Sequence, residues 1–162
     1  MLKKYLTTEE KADAIEARFG TLKHIRRVNE LLIDSATELL RRAKEHDASK
    51  LESPEVEFFD QYTAQIATLT YGSPEYTAAL EAIKPALDHH YANNTHHSEH
   101  YADGINDMDL YDLLEMLLDW KAAGERQNNG NILKSLEINR SRYKISDQLL
   151  RILHNTAHRY LR

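Results

Sequence analysis

Cysteine is absent from the 162-residue sequence, and glycine and proline are scarce, with five and three residues. Without cysteine there can be no disulfide, no thiolate zinc site and no cysteine nucleophile, so any metal must be held by histidine and carboxylate side chains. No stretch approaches the roughly 18 to 20 consecutive apolar residues of a membrane span. The scarcity of helix-breaking residues, together with apolar residues at spacings of three and four, predicts a single, predominantly helical domain over 1–162.

Positive charge is also in short supply, because 21 lysine and arginine residues stand against 26 aspartate and glutamate residues, a net charge of −5. A negative overall field repels a phosphate backbone, so nucleic acid is not the expected partner. The helices expected over 131–162 end in a basic stretch: from Arg140 onward, Arg140, Arg142, Lys144, Arg151, Arg159 and Arg162 lie beside one acidic residue, Asp147. A solvated helix face explains them, and the alternative is a surface that collects an anionic substrate or contacts a nucleic acid end.

Capping residues predict where helices begin and end. Thr7 and Glu10 match a capping box that opens a helix, which Gly20 is expected to close. Ser35 and Glu38 repeat this box within the apolar stripe that follows, so we expect a helix break near residue 34. Further helices are expected from Ser53-Pro54-Glu55, over 75–92, over Asp109–Ala123 and, singly or as a pair, over about 131–161, with turns at 71–75, 93–95 and 128–131.

Histidine, unlike cysteine, glycine and proline, is abundant in this sequence. Of nine histidines, seven precede residue 101 and five fall within twelve residues: His89, His90, His96, His97 and His100. Solvated polarity is one explanation, yet adjacent imidazoles repel each other whenever they become protonated. Metal coordination removes that repulsion because the neutral ring is the ligand. The clustering therefore favours a metal site.

The dipeptide His46-Asp47 lies at a predicted helix end, with Lys50 three residues after the aspartate. This pattern resembles the HD-domain metal-dependent phosphohydrolase superfamily, in which a His, a His-Asp pair and a distant Asp lie on helices. Several branches carry His-Asp-x-Gly-Lys, and Ser49 replaces that glycine here. Ordered motifs over residues 21–124 also resemble an uncharacterised HD-like family of small phage and bacterial proteins: Thr21-x-x-His24-x-x-x-Val28, His46-Asp47-x-Ser49-Lys50, His89-His90-x-x-x-Asn94-x-His96-His97-x-Glu99-His100 and Glu115-Met116-x-x-Asp119-Trp120.

The resemblance implies an all-α, compact HD-domain-like bundle with a buried metal site that holds one or two ions. The minimal set of metal ligands that it implies is His24, His46, Asp47 and Asp119, and such ligands suit Mn, Fe, Co, Ni or Zn better than Mg. In binuclear branches additional histidines hold a second ion, for which the candidates are His90 and His97, with His89 and His96 as alternates.

Helix geometry sets conditions on both ligand sets. His24 and His46 are separated by 22 residues, about 33 Å along one straight helix, so sharing an ion requires the break near residue 34. His90 and His97 lie about 10 Å apart on a straight helix. Those two residues therefore need either a kink at Asn93-Asn94 or separate ions.

The resemblance also implies a reaction, the hydrolysis of a nucleotide or another small phosphate ester by attack of metal-bound water. Asp47, Lys50 and Glu115 are its catalytic candidates. Lys50 would bind a substrate phosphate as a point charge. Asn94 either binds substrate or makes the turn, and Glu115 either orients a ligand, accepts a proton or is simply solvated. Whether the substrate is a phosphomonoester or a phosphodiester stays open.

Two other functions fit the same residues. Some HD-fold proteins hold two irons and activate oxygen, and a surplus of histidine ligands is compatible with such an oxygenase. A phage regulatory protein that binds a nucleotide or a partner without turnover is the other alternative. The first six residues precede a polar segment rather than an apolar signal core, so we expect a cytoplasmic protein, in the host cytoplasm if phage-encoded. A homodimer is the default expectation for its assembly, and no membrane partner is expected.

Overall fold

The computed structural model describes residues 7–66, 68–70, 73–126 and 130–161. These residues form seven α-helices and three 3₁₀ helices without any strand, which confirms the expected all-α class. The α-helices are α1 (Thr8–Glu45), α2 (Glu55–Ile66), α3 (Pro74–Ala82), α4 (Lys84–Asn93), α5 (Leu110–Glu125), α6 (Ile132–Arg142) and α7 (Asp147–Tyr160), and the 3₁₀ helices are Ala48–Leu51, Ser98–His100 and Gly104–Asp107. None of the described helices is long and apolar enough to cross a membrane.

The chain divides into two units, Met1–Lys44 and Glu45–Arg162. The first unit consists, in its described part, of α1. Its N-terminus has the expected capping box, since the amide of Thr7 donates to Glu10 Oε2 at 2.7 Å and the amide of Glu10 donates to Thr7 Oγ1 at 3.1 Å. The expected end at Gly20 is wrong, because α1 continues through it. A glycine in a helix interior costs about 1 kcal/mol relative to alanine, which a long helix tolerates.

The predicted break near residue 34 is also wrong. Ser35 does not cap a new helix, because its hydroxyl donates instead to the carbonyl of Leu31 at 2.9 Å, one turn earlier in α1. Glu38 is engaged by two arginines further along the same helix. Since α1 is uninterrupted, His24 and Glu45 are about 32 Å apart along its axis. The bend on which metal binding by His24 depended is absent.

The second unit has the expected helices with one correction. The single helix predicted over 75–92 is two helices that meet at Ile83, because Pro85 in the first turn of α4 has no N–H to donate to the preceding turn. The helix α5 begins at a capping box formed by Asp109 and Asp112 and ends one residue beyond Gly124. A helix pair, α6 and α7, follows.

The turn residues 71, 72, 128 and 129 and the basic residue Arg162 lie outside the described residues.

The apolar core of this unit lies between α5, α6 and α7 and the third 3₁₀ helix. Its most deeply buried members are Leu117 of α5 and Leu136 of α6. Trp120 packs against the margin of this core and stacks on Tyr143. The helices α2 and α4 contact each other, and the first 3₁₀ helix contacts both. This arrangement brings the residues after α1, the end of α4 and the start of α5 into one region.

Candidate metal centre

Asp47 lies at the middle of a cluster of histidines. It precedes the first 3₁₀ helix and has a left-handed backbone with φ of 56°, a conformation that aspartate adopts more readily than most residues. Its Oδ1 lies 3.3 Å from His90 Nε2 and 3.5 Å from His96 Nε2, whereas its Oδ2 lies 3.5 Å from His46 Nε2. Each carboxylate oxygen of Asp47 therefore faces its own set of imidazole nitrogens.

The histidine-rich stretch bends where the sequence predicted. The helix α4 ends at Asn93, and Asn94 follows in an extended conformation, so that His90 Nε2 and His97 Nε2 lie 2.9 Å apart. The side-chain amide of Asn94 is buried and donates to the carbonyl of His90 and to Ser49 Oγ, each at 2.8 Å. These contacts give Asn94 a role in the turn. They do not test its predicted role in substrate binding.

The Oδ2 side of Asp47 is more open. Lys50 Nζ donates to Asp47 Oδ2 at 2.6 Å, and Asp119 Oδ1 lies 3.9 Å from His46 Nε2. The His46, Lys50 and Asp119 side chains are each about a third exposed. This side therefore combines two carboxylates, an imidazole and an ammonium group within reach of solvent.

Two glutamates lie behind the histidines, at their Nδ1 atoms. Glu115 Oε1 accepts from His46 Nδ1 at 2.8 Å and lies 3.2 Å from His96 Nδ1. Glu55 Oε2 lies 2.9 Å from His90 Nδ1, and Glu55 Oε1 lies 2.7 Å from the Nδ1 of the neighbouring His89. Glu55 is fully buried.

A second fully buried acid, Asp112, fixes the loop that carries His96. It accepts from Tyr101 Oη and from Thr95 Oγ1, each at 2.6 Å, and also receives the amide of Asp109 at 3.1 Å. Burial and the Asp112 carboxylate raise the pKa of Tyr101 to about 12, which keeps the phenol protonated as a donor. The loop is thereby tied to the first turn of α5, the helix that also supplies Glu115 and Asp119.

The electrostatics favour an ionised Asp47 carboxylate and a neutral His97 imidazole. Partial burial raises the pKa of Asp47, but the surrounding His90 and His96 rings and the Lys50 ammonium lower it by more, so the net pKa lies far below its ordinary value. Burial, together with the neighbouring His96 and His90, lowers the pKa of His97 to about 3. An anionic oxygen and a neutral imidazole are the forms in which these groups bind metal.

Two buried polar atoms lie where a cation could be held. Asp47 Oδ1 and His96 Nε2 are both buried and make no hydrogen bond within the described part of the chain, although buried polar atoms are nearly always paired. Ligand atoms about 2.0–2.1 Å from one ion lie about 2.9–3.4 Å from each other when they subtend 90–110°. The 2.9 Å between His90 Nε2 and His97 Nε2 and the 3.3 Å between His90 Nε2 and Asp47 Oδ1 fit that spacing, and the 3.5 Å between His96 Nε2 and Asp47 Oδ1 lies just above it.

The described residues contain three groups whose ligand atoms all lie within 4.8 Å of one another. They are Asp47 with His90, His96 and His97; His46 with Asp47 and Asp119; and His46 with His96 and Glu115. The first two can each hold a metal ion, and they share Asp47. In the third group, the Glu115 carboxylate lies at the Nδ1 atoms of His46 and His96.

The cluster thus contains most of the residues predicted from sequence and excludes others. His46, Asp47, His90, His97, Asp119, Lys50 and Glu115 lie in it, and the alternate His96 joins them. His24 belongs to none of the groups found in the described residues, and neither do His89 and His100. His100 Nδ1 donates to the carbonyl of Tyr91 at 2.8 Å, which holds the loop against α4.

Comparison with known proteins gives a family for the chain. A family model described as "Family of unknown function (DUF5662)" matches residues 14–159. The chain belongs to this family. No curated protein matches the chain, and no solved structure does. The DUF5662 match covers most of α1 and all the helices that carry the cluster, and its description assigns no activity to them.

Proposed function

We propose that this DUF5662 protein is a metal-dependent phosphohydrolase that acts on a nucleotide or another small phosphate ester. The observation that carries the proposal is the convergence of His46, His90, His96, His97 and Asp119 on the two oxygens of Asp47, with Lys50 beside them. The HD-type resemblance is part of the same proposal, supported by the closeness of the His-Asp pair, the bent histidine stretch and Asp119. It lacks support at His24.

The residues divide between two ions. Asp47, His90, His96 and His97 would hold one ion on the buried side, and His46, Asp47 and Asp119 would hold a second on the open side. Imidazole and carboxylate donors suit Mn, Fe, Co, Ni or Zn better than Mg. Bound divalent ions would supply a coordinated water of lowered pKa and polarise a phosphoryl oxygen.

The side chains of the protein would bind and orient the substrate on the open side. The Lys50 ammonium lies on the solvent-reachable oxygen of Asp47, where it would attract a phosphoryl oxygen and offset the negative charge of the site. Glu115 would act as a ligand orienter rather than as a proton acceptor, because its Oε1 accepts from His46 and lies 3.2 Å from His96 Nδ1. The burial of His90 and His96 excludes water from the other side.

The test is elemental analysis of the purified full chain, followed by a panel of phosphomonoesters and phosphodiesters with added Mn, Fe, Co, Ni or Zn. We expect bound transition metal and phosphate release, both lost in Asp47→Ala and both retained in Asp88→Ala, an exposed carboxylate paired with Lys84. Iron with oxygen consumption and no phosphate release would favour the oxygenase alternative. Retention of a nucleotide without turnover would favour the binding protein, and metal-free protein would refute all metal chemistry.

A further inference from the structure

The buried Glu55 is a residue that the proposed chemistry does not use. Its two oxygens lie 2.7 Å from His89 Nδ1 and 2.9 Å from His90 Nδ1. We propose that Glu55 is a positioning residue that keeps the proton of His90 on Nδ1, so that the Nε2 lone pair is directed at the metal centre. This inference rests on the proposed function, because it concerns how that centre is kept ready for an ion.

The chemistry of the contact determines the tautomer. A neutral imidazole has one N–H and one lone pair, and the partner of one nitrogen fixes the role of the other. An ionised carboxylate only accepts hydrogen bonds, so His90 must present Nδ1–H to Glu55. In the neutral ring, His90 Nε2 then carries the lone pair, and this atom lies 3.3 Å from Asp47 Oδ1 and 2.9 Å from His97 Nε2.

The opposite tautomer has a partner ready on the same atom. Ser49 Oγ lies 3.3 Å from His90 Nδ1, and its hydroxyl can donate, whereas the two hydrogens of the Asn94 amide go to the His90 carbonyl and to Ser49 Oγ. If the Glu55 carboxylate were lost, Nδ1 would accept from the Ser49 hydroxyl, and the proton would move to Nε2. There it would donate to Asp47 Oδ1 and compete with a metal ion. Glu55 therefore decides whether His90 Nε2 presents a lone pair or an N–H to the buried ligand set.

Burial makes Glu55 an exacting partner. A buried carboxylate is costly unless it is hydrogen-bonded, and His89 and His90 each serve one of its oxygens. Glu115 provides the same kind of contact to His46 and His96 from α5. The two glutamates thus act on different histidines, so the effect of removing Glu55 should be confined to the buried side.

The direct test is NMR of the metal-free full chain labelled with ¹⁵N-histidine, using long-range ¹H–¹⁵N correlations to identify the protonated nitrogen of each ring. We expect Nδ1–H at His90 in the wild type. In Glu55→Gln we expect His90 to change to Nε2–H while His46 keeps Nδ1–H. In Glu115→Gln we expect His46 to change to Nε2–H while His90 keeps Nδ1–H. Nε2–H at His90 in the wild type, or an unchanged tautomer in a folded Glu55→Gln, would overturn the proposal.

A second measurement links the tautomer to metal binding. In cobalt(II) titrations followed by absorbance, Glu55→Gln should weaken the tighter site by roughly 10- to 100-fold, the usual effect of removing a partner of a ligand. Glu55→Asp, which keeps the carboxylate, should recover part of that loss. Glu137→Gln is the matched control, because Glu137 makes a similar carboxylate–imidazole contact, 2.8 Å to His154 Nε2, on an exposed surface. Equal cobalt affinity in Glu55→Gln and wild type would contradict the proposal.

The two measurements separate this proposal from the proposed function. If the wild type has the expected tautomers but binds no cobalt, the metal hydrolase fails and the role of Glu55 in setting the tautomer stands. If cobalt binds but His90 carries Nε2–H in the metal-free protein, the role of Glu55 fails and the metal centre stands. The wild-type spectrum needs no variant, so it decides the tautomer even if Glu55→Gln does not fold.

Discussion

The two sides of Asp47 differ in burial and in charge. On the Oδ1 side, the His90 and His96 side chains are each 2% exposed. On the Oδ2 side, His46 is 31% exposed, Asp119 is 28% exposed and Lys50 is 38% exposed. One side offers only imidazoles around a carboxylate oxygen, whereas the other adds a second carboxylate and an ammonium group.

Under the proposed metal chemistry, this difference would let one aspartate separate two tasks. Ligands that are withdrawn from water hold an ion where exchange with solvent is restricted, because electrostatic interactions are strongest where the local dielectric is low. Ligands that solvent can reach leave room for a substrate and its phosphate. We therefore expect the buried side to retain its ion and the open side to do the chemistry.

The largest effect should come from removing the shared ligand. Asp47→Ala takes one oxygen from each side, so we expect loss of both ions and a fall of phosphoesterase activity to background. Metal content by elemental analysis and phosphate release measure the two losses together. Two retained ions in folded Asp47→Ala would show that the two sides do not depend on a common carboxylate.

The next prediction separates the sides. Asp119→Asn should leave the ion of the buried side in place and remove the open one, so that metal content falls to about half while activity is lost. His96→Phe should instead remove the tighter ion and keep the ring volume of the buried position. The comparison breaks down if the two variants lose the same ion, as judged by cobalt(II) spectra during titration.

Much of the fold of the second unit could be predicted because its signals are local. Asn93 and Asn94 favour a turn, Asp109 is a strong cap, and the bend after α4 lies where the turn residues predicted it. The histidine spacing allowed either this bend or separate ions. The first unit was predicted less well. Ser35 is of a residue type that often caps helices, but its hydroxyl donates to the Leu31 carbonyl within α1. Sequence alone does not show whether a serine hydroxyl accepts from the amide of a new helix or donates to a carbonyl one turn earlier.

The candidate ligand set was predictable in part for a similar reason. His46 and Asp47 form a recognisable pair, and the clustering of histidines narrows the search to a short stretch. The choice of His96 over His89 depends on the direction of each ring after the chain bends, which the spacing does not fix. Glu55 gave no signal, because an acid in the first turn of a helix is common for reasons of capping and dipole alone.

Lys50 tests whether substrate binds on the open side. Lys50→Met keeps the apolar stem and removes the ammonium, so we expect KM to rise about 10- to 100-fold, from a charged hydrogen bond of about 1.5–3 kcal/mol, with metal content unchanged. Lys84→Met, which breaks an exposed ion pair with Asp88, is the matched control. An unchanged KM in Lys50→Met would place the phosphate elsewhere.

The smallest effect should come from a histidine of the same stretch that faces away from Asp47. His100 Nδ1 donates to the Tyr91 carbonyl and belongs to none of the metal-ligating groups among the described residues. His100→Phe keeps an aromatic ring and removes the donor, so we expect a loss of about 1 kcal/mol in the free energy of unfolding and a fall in Tm of about 2–4 °C. Both ions should remain bound. Because His100→Phe and His96→Phe are the same chemical change four residues apart, a loss of metal in His100→Phe would mean that the ligand set extends beyond the rings that converge on Asp47.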